Sequence, residues 1–378
     1  MPLPAYPRST FVASKDPERI YSYLDVPASS SSSSTSAPPI LFLHGFPDLA
    51  IGWSEQIEYF SSRGHRCIAP DMLGYGLTSR PSRGEGRLGE YAIMSMSGDI
   101  ARLVHHALSS STSDSGSSSS GKVIVISHDH GANFAWKFTH YHPHLVLGMV
   151  GLCVPYARIT SRWASREVIT QLIPTFGYQM FFEEPKSTSI VQDQLETFLL
   201  NIYSKVGLFT LDPSQERTEA ESPEFRGNLE RLLLQASKNG GSGALGSSQS
   251  DKKKKRNDLI MDPEVFDYYM EQFGVKAGGI DGALNWYRTR KMNFDDEQTV
   301  KQKSYPTSFP VLAVVPDRDA ALPPILFANL LRDIPHAERV DMRDCGHFVQ
   351  LEQPRQLAEA IEGWMVRHGL SGAKKANL

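Results

Sequence analysis

Lys122 to Ala135 reads KVIVISHDHGANFA. Val123 to Ile126 is an unbroken apolar run, interrupted by Ser127-His128-Asp129-His130-Gly131, after which Phe134, Phe138 and Tyr141 recur at helical spacing. The pattern predicts a buried strand, a sharp turn and a helix. Ser127 and Gly131 are small enough to let strand and helix approach closely, while the middle residue is pushed out at the end of the strand. In a G-x-S-x-G elbow that middle seat holds a serine nucleophile; here it holds Asp129. Taken alone, Asp129 has two readings, a helix N-cap or a carboxylate nucleophile. A carboxylate is ionised near neutral pH and can displace a leaving group at saturated carbon, giving an alkyl ester that water must then cleave.

Outward from this turn the chain alternates strand and helix. Before it come a hairpin over residues 11–26 turning at Lys15-Asp16-Pro17-Glu18, a strand Ile40 to Leu43, a helix around Trp53 to Ser62, a strand Arg66 to Ala69 and a helix Met94 to Leu108. After it, Leu145 to Val154 reads as another strand. The alternation predicts an α/β fold with a mostly parallel central sheet and helices on both faces. From Tyr156 to Ser304 the pattern is helical without a clear strand (Ile190 to Tyr203, Leu229 to Ala236, Pro263 to Phe273, Gly282 to Arg290), which predicts an inserted helical cap. The sheet resumes at Phe309 to Val315, followed by a helix Ile325 to Leu331, a strand Glu338 to Met342 and a closing helix Pro354 to His368. The chain thus divides into core 1–155, cap 156–304 and core 305–378. Residues 212–258, with the basic run Lys252 to Arg256, and the serine tracts at Ser29 to Ser36 and 109–120 are expected to be solvated insertions.

With 378 residues, 40% hydrophobic, and a formal net charge of −3, the chain can bury a large core and has no bias towards nucleic acid or anionic membrane. It contains no apolar run of about twenty residues and no signal-type start, so neither a membrane span nor secretion is predicted. A cytoplasmic location is expected, with Ala376-Asn377-Leu378 a weak variant of a peroxisomal address. Cys67, Cys153 and Cys345 are too widely spaced for a disulfide framework or a metal set. His140 and His144 have i, i+4 spacing, but Pro143 ends the helix between them, and no metal is predicted.

Two further turns complete a constellation. Leu41-Phe42-Leu43 runs into His44-Gly45-Phe46-Pro47-Asp48, a turn able to aim the Phe46 backbone N–H above the elbow; the N–H of His130 is the second donor for an oxyanion. The strand at 309–315 ends in Pro316-Asp317-Arg318-Asp319, and the last strand leads to Cys345-Gly346-His347. Nucleophile, acid, histidine is the order of the α/β-hydrolase fold. His347 would take a proton from the attacking water, and Asp319 or Asp317 would orient its ring.

The chain resembles the soluble epoxide hydrolases of the α/β-hydrolase superfamily, over most of its length outside the serine tracts and 212–258. The matching pieces are His44-Gly45-Phe46-Pro47 with Trp53, Pro70-Asp71-Met72-Leu73-Gly74-Tyr75-Gly76, His128-Asp129, Asn285-Trp286-Tyr287-Arg288 and Cys345-Gly346-His347. The resemblance implies that Asp129 is the nucleophile, His347 the water-activating base and Asp319 its partner. It also implies that Tyr178, in Phe176-Gly177-Tyr178-Gln179, and Tyr287 protonate the epoxide oxygen, and that His44, Gly45, Pro47, Trp53 and Trp286 surround the substrate. Partners would be a small apolar epoxide and water, with no cofactor, in a monomer or homodimer. Two residues depart from the family pattern: Ser127 stands for the usual Gly and His130 for the usual Trp, placing a polar group on an ordinarily apolar wall. Haloalkane and haloacid dehalogenases share the fold but need halide donors, commonly an indole beside the nucleophile, which this chain lacks. A ligand-binding protein without turnover is the remaining alternative.

Overall fold

A computed structural model describes residues 3–29, 37–109, 121–205, 229–231, 233–234, 256 and 258–371. The readings made on the serine tracts, on most of 212–258 and on Ala376-Asn377-Leu378 lie outside the described residues. No helix among the described residues is long and apolar enough to cross a membrane.

Strands β1 (Arg8–Lys15), β2 (Glu18–Val26), β3 (Ile40–Leu43), β4 (Cys67–Pro70), β5 (Val123–His128), β6 (Val146–Leu152), β7 (Val311–Pro316) and β8 (Ala337–Met342) form one sheet in the order β1-β2-β4-β3-β5-β6-β7-β8. The β1–β2 and β2–β4 pairs are antiparallel and all later pairs parallel. Every residue of β3, β4, β5 and β7 is buried, as their continuous apolar runs require of strands covered on both faces. From β3 the chain steps outward to β4 and then returns to the other side of β3 as β5. The loops leaving β3 and β5 therefore diverge, and a crevice opens at their carboxyl ends.

Helices α1 (Ser54–Ser61), α2 (Ile93–Ser109) and α3 (His130–Tyr141) belong to the first half. Between β6 and β7 the described residues hold α4 (Arg166–Leu172), α5 (Gly177–Glu183), α6 (Ser187–Asp193), α7 (Leu195–Tyr203), α8 (Pro263–Gln272), α9 (Asp281–Arg288) and α10 (Arg290–Thr299), with one isolated bridge, Ser204 to Leu259. Short α11 (Leu330–Asp333) and α12 (Val349–Glu352) precede the closing α13 (Pro354–Arg367), which lies against α1.

The helices depart from expectation in three places, two in the expected cap and one after β7. The single helix expected over 190–203 is broken at Gln194 (φ −116°, ψ 28°), because its halves dock on different partners. Thr188 of α6 bonds Asp281 at 2.6 Å, while Phe198 of α7 meets the Phe46 ring at 6.0 Å. The helix expected over 282–290 stops at Arg288 and a separate α10 follows; α10 has no fully buried residue, so RKMNFDDEQT carries little apolar periodicity to read. The helix expected over 325–331 is a 3-10 turn, Pro324–Phe327, followed by α11.

Candidate active site

The β5–α3 turn is tight because α3 passes directly over the end of β3. A Cβ on Gly131 would lie 2.3 Å from the Leu43 carbonyl oxygen, so only glycine fits there. The turn holds Asp129 at φ 50°, ψ −125°, a region that costs a non-glycine residue roughly 1–3 kcal/mol. Asp129 stands at the N-cap position of α3, but its side chain makes no cap bond, so the carboxylate is not spent on the helix. Its carboxylate instead faces a cavity of about 500 Å³. One oxygen accepts the Phe46 N–H at 2.9 Å, and the other lies 3.5 Å from Nε2 of His347.

Of the two candidate acids it is Asp319 that contacts His347, at 2.7 Å from Nδ1. Asp319 is fully buried, and its second oxygen accepts the N–H groups of Ala321 and Leu322, each at 2.9 Å. Asp317 points elsewhere, accepting the Cys345 N–H at 3.2 Å and bracing the histidine loop.

Burial alone would push the His347 pKa down, but the carboxylates of Asp319 and Asp129 on either side overcome it and raise the pKa to about 10. Burial likewise pushes the Asp129 carboxyl up, yet its hydrogen bond to His347 and the surrounding histidine rings hold it below the usual carboxylate range. Both shifts favour an imidazolium between the Asp129 and Asp319 carboxylates in the resting site.

Tyr178 on α5 and Tyr287 on α9 line the same cavity, with ring centroids 6.3 Å apart. Burial raises both phenol pKa values, helped by the Asp129 carboxylate at Tyr178 and by Tyr178 and then Asp129 at Tyr287, so each keeps its proton. The Tyr178 oxygen accepts a hydrogen bond from Gln179 Nε2 at 3.2 Å. Gln179 Oε1 accepts in turn from Arg166, whose Nε donates to Glu183 at 2.7 Å. The sequence reading missed this Glu183–Arg166–Gln179–Tyr178 chain; the i, i+4 spacing of Gln179 and Glu183 is the signal that could have found it.

Trp286 and His130 line the cavity, and the His130 ring lies 4.2 Å from Tyr287 and 6.0 Å from Trp286. The other expected pocket residues do not line it, a correction with a common cause: they sit behind the nucleophile, built into the core. His44 Nε2 accepts the Met72 N–H and its Nδ1–H donates to the Gly45 carbonyl, both at 2.9 Å, fixing the turn. Gly45 is a close approach, where a Cβ would stand 2.5 Å from that of Asp129. The Pro47 carbonyl accepts the Tyr203 hydroxyl, and Trp53 is wholly buried with its ring 5.3 Å from Phe42.

His128, Cys153 and His347 bring possible ligand atoms within 4.8 Å of one another. Their chemistry does not fit a metal. His128 donates from Nε2 to the His347 carbonyl at 2.8 Å and accepts from Gln350 at Nδ1, while burial raises the Cys153 thiol pKa well above its ordinary value.

An epoxide hydrolase of Neurospora crassa is 28% identical to this chain over 365 residues, covering 92% of this chain and 95% of that protein. Rat bifunctional epoxide hydrolase 2 is 27% identical over 330 residues, 87% of this chain but only 52% of that protein. Among solved structures, epoxide hydrolase A of Mycobacterium thermoresistibile matches with a TM-score of 0.68 at 20% identity, over 96% of this chain and 98% of that one. An epoxide hydrolase of Vigna radiata matches with a TM-score of 0.66 at 22% identity, again over 96% and 98%. The structural likenesses are likenesses of fold. A family model described as the alpha/beta hydrolase fold matches residues 38–354, and with the sheet order, the elbow and the Asp129, Asp319, His347 succession already in view, the chain belongs to the α/β-hydrolase fold family.

Proposed function

We propose that the chain is an epoxide hydrolase that forms a vicinal diol through an alkyl ester on Asp129. The observation that carries this is a buried carboxylate at the elbow, sharing a cavity with two protonated phenols. An epoxide has ring strain but a poor leaving group, so an acid opposite the nucleophile is what the reaction requires. Asp129 attacks a ring carbon, the C–O bond breaks, and the alkoxide takes a proton from Tyr178 or Tyr287.

Ester formation removes the charge on Asp129. One of the two carboxylates that hold the His347 proton is then gone, its pKa falls, and the proton returns to the phenolate. Neutral His347 takes a proton from water, whose oxygen attacks Cγ of Asp129. The resulting oxyanion lies within reach of the Phe46 N–H, which already donates to this carboxyl, and the His130 N–H is the second donor. Collapse breaks the bond to the substrate oxygen, which takes the remaining proton of the attacking water to become the second hydroxyl of the diol, and the carboxylate and imidazolium of the resting site are restored.

The names of the relatives favour the same reaction. Halide release is the poorer reading, since the indole nearest the site, Trp286, donates its N–H to the Leu73 carbonyl at 2.8 Å. The test is a panel of racemic epoxides given to the His347→Gln variant. Mass spectrometry should find the substrate's mass added to the peptide bearing Asp129. No adduct in the variant and no diol from the unaltered chain, across the panel, would overturn the proposal and favour a binding protein.

A further inference from the structure

One wall of the cavity has no part in ring opening. Along α3, His130, Asn133 and Lys137 follow one another at i, i+3 and i+7, and all three line the cavity. Along α10, Arg290, Asn293 and Glu297 repeat that spacing and line it as well. The two polar stripes meet where Lys137 Nζ lies 2.9 Å from Glu297, with Lys137 only 4% exposed. The lining also includes apolar side chains, among them Ile169, Ile173, Phe176 and Leu326.

Such a wall is ill suited to a hydrocarbon. A polar group stripped of water by an apolar substrate and left without a partner is destabilising, and two helices present such groups here. Some members are already committed: Lys137 donates to the Ala157 carbonyl at 2.9 Å and Asn293 accepts the Ile93 N–H at 2.8 Å. His130 and Asn133, half-buried and nearest the nucleophile, face the cavity; Arg290 lines it too, with one amino group donating to the Ala164 carbonyl and its guanidinium 4.4 Å from the Trp163 ring centre, which leaves its remaining N–H groups for a ligand. The lining holds five basic side chains (Lys137, Arg158, Arg162, Arg166, Arg290) against two acidic ones (Asp129, Glu297), and of the basic ones Lys137, Arg158 and Arg166 are paired with Glu297, Asp333 and Glu183. Donors aimed at an acceptor are what this wall offers.

We infer that the substrate is an amphipathic epoxide, carrying an oxygen acceptor (hydroxyl, carbonyl or carboxylate) that lies along His130, Asn133 and Arg290 while the oxirane sits at Asp129. At about 1.5 Å of rise per residue, Asn133 lies about 4–5 Å and Lys137 about 10 Å along α3 from His130, which places the acceptor roughly three to seven bonds from the ring. The inference rests on the epoxide hydrolase reading above and narrows it.

The test compares alkyl epoxides of equal length with and without a hydroxyl or carboxylate four to six bonds from the ring, by kcat/KM, for the full chain and for Asn133→Leu, His130→Phe and Arg290→Gln. The oxygenated member should be preferred at least about tenfold, and one or more of the variants should cut that preference at least about fivefold, mainly through KM. Loss in Asn133→Leu or His130→Phe with the hydroxyl series supports a neutral acceptor. Loss in Arg290→Gln with the carboxylate series supports an anionic one. Equal kcat/KM for the paired substrates, or a preference that no variant alters, overturns the inference while leaving epoxide hydrolysis intact. Absence of turnover with every member, together with no trapped ester, overturns the parent reading and this one with it.

Discussion

The two halves of the site are held in different ways. On the sheet side, Asp129, Asp319 and His347 come from the ends of β5, β7 and β8, and backbone groups fix them: Phe46 N–H on Asp129, two further N–H groups on Asp319. On the helical side, Tyr178 and Tyr287 are held by other side chains. Tyr287 meets Phe46 at 5.3 Å and Phe182 at 4.9 Å between ring centroids, and Tyr178 depends on Gln179. The contrast teaches which half can be tuned. Backbone placement leaves little room for substitution around the nucleophile, whereas ring contacts let the proton donors and the adjoining wall be reshaped without disturbing the sheet.

The sharpest way to break this comparison is on the sheet side. Asp319→Asn should lower kcat by about 10²–10³-fold, because the amide no longer stabilises the imidazolium or fixes its tautomer, while Asp317→Asn should stay within about threefold. Equal effects in the two variants would mean that the contact between Asp319 and His347 has no catalytic weight. On the helical side the expected losses are smaller. Tyr178→Phe and Tyr287→Phe should each slow ester formation by about 10–100-fold in single-turnover kinetics, since either phenol can supply the proton, and the double variant should lose far more than either alone. Strict additivity would contradict a shared role.

The smallest effect is a titration. In the resting protein His347 should hold its proton well above the pH at which a free imidazole loses it, because two carboxylates favour the charged form. Asp129→Asn removes one of them without changing shape, and the His347 pKa, followed by nuclear magnetic resonance, should fall. An unchanged value would show that Asp129 and His347 are not coupled, and with it would go the argument that ester formation frees the base.

The sheet side was legible in the sequence because its signals are local. Val123 to Ile126 is apolar throughout because β5 is buried on both faces, and the breaks after it, after Leu43 and after the last strand each mark a strand end where a functional loop begins. Even so, spacing left Asp317 and Asp319 equivalent; only the fold shows which one turns inward. The helical side was harder to read. α10 is polar almost throughout, and the break at Gln194 separates halves that dock on partners far away in the chain. His44 and Trp53 look like pocket residues when they are attached to a functional motif. In the fold they brace the turn and the core behind it, and a contact made from behind leaves the same trace in a sequence as one made from the front.

The central claim is that a side-chain carboxylate makes the first bond to carbon, and one measurement addresses it directly. A single turnover in heavy-oxygen water, with protein in excess over epoxide, should place the label in the carboxyl group of Asp129 and release an unlabelled diol. Label in the diol, with none in Asp129, would mean that water attacks the ring itself and would contradict the account.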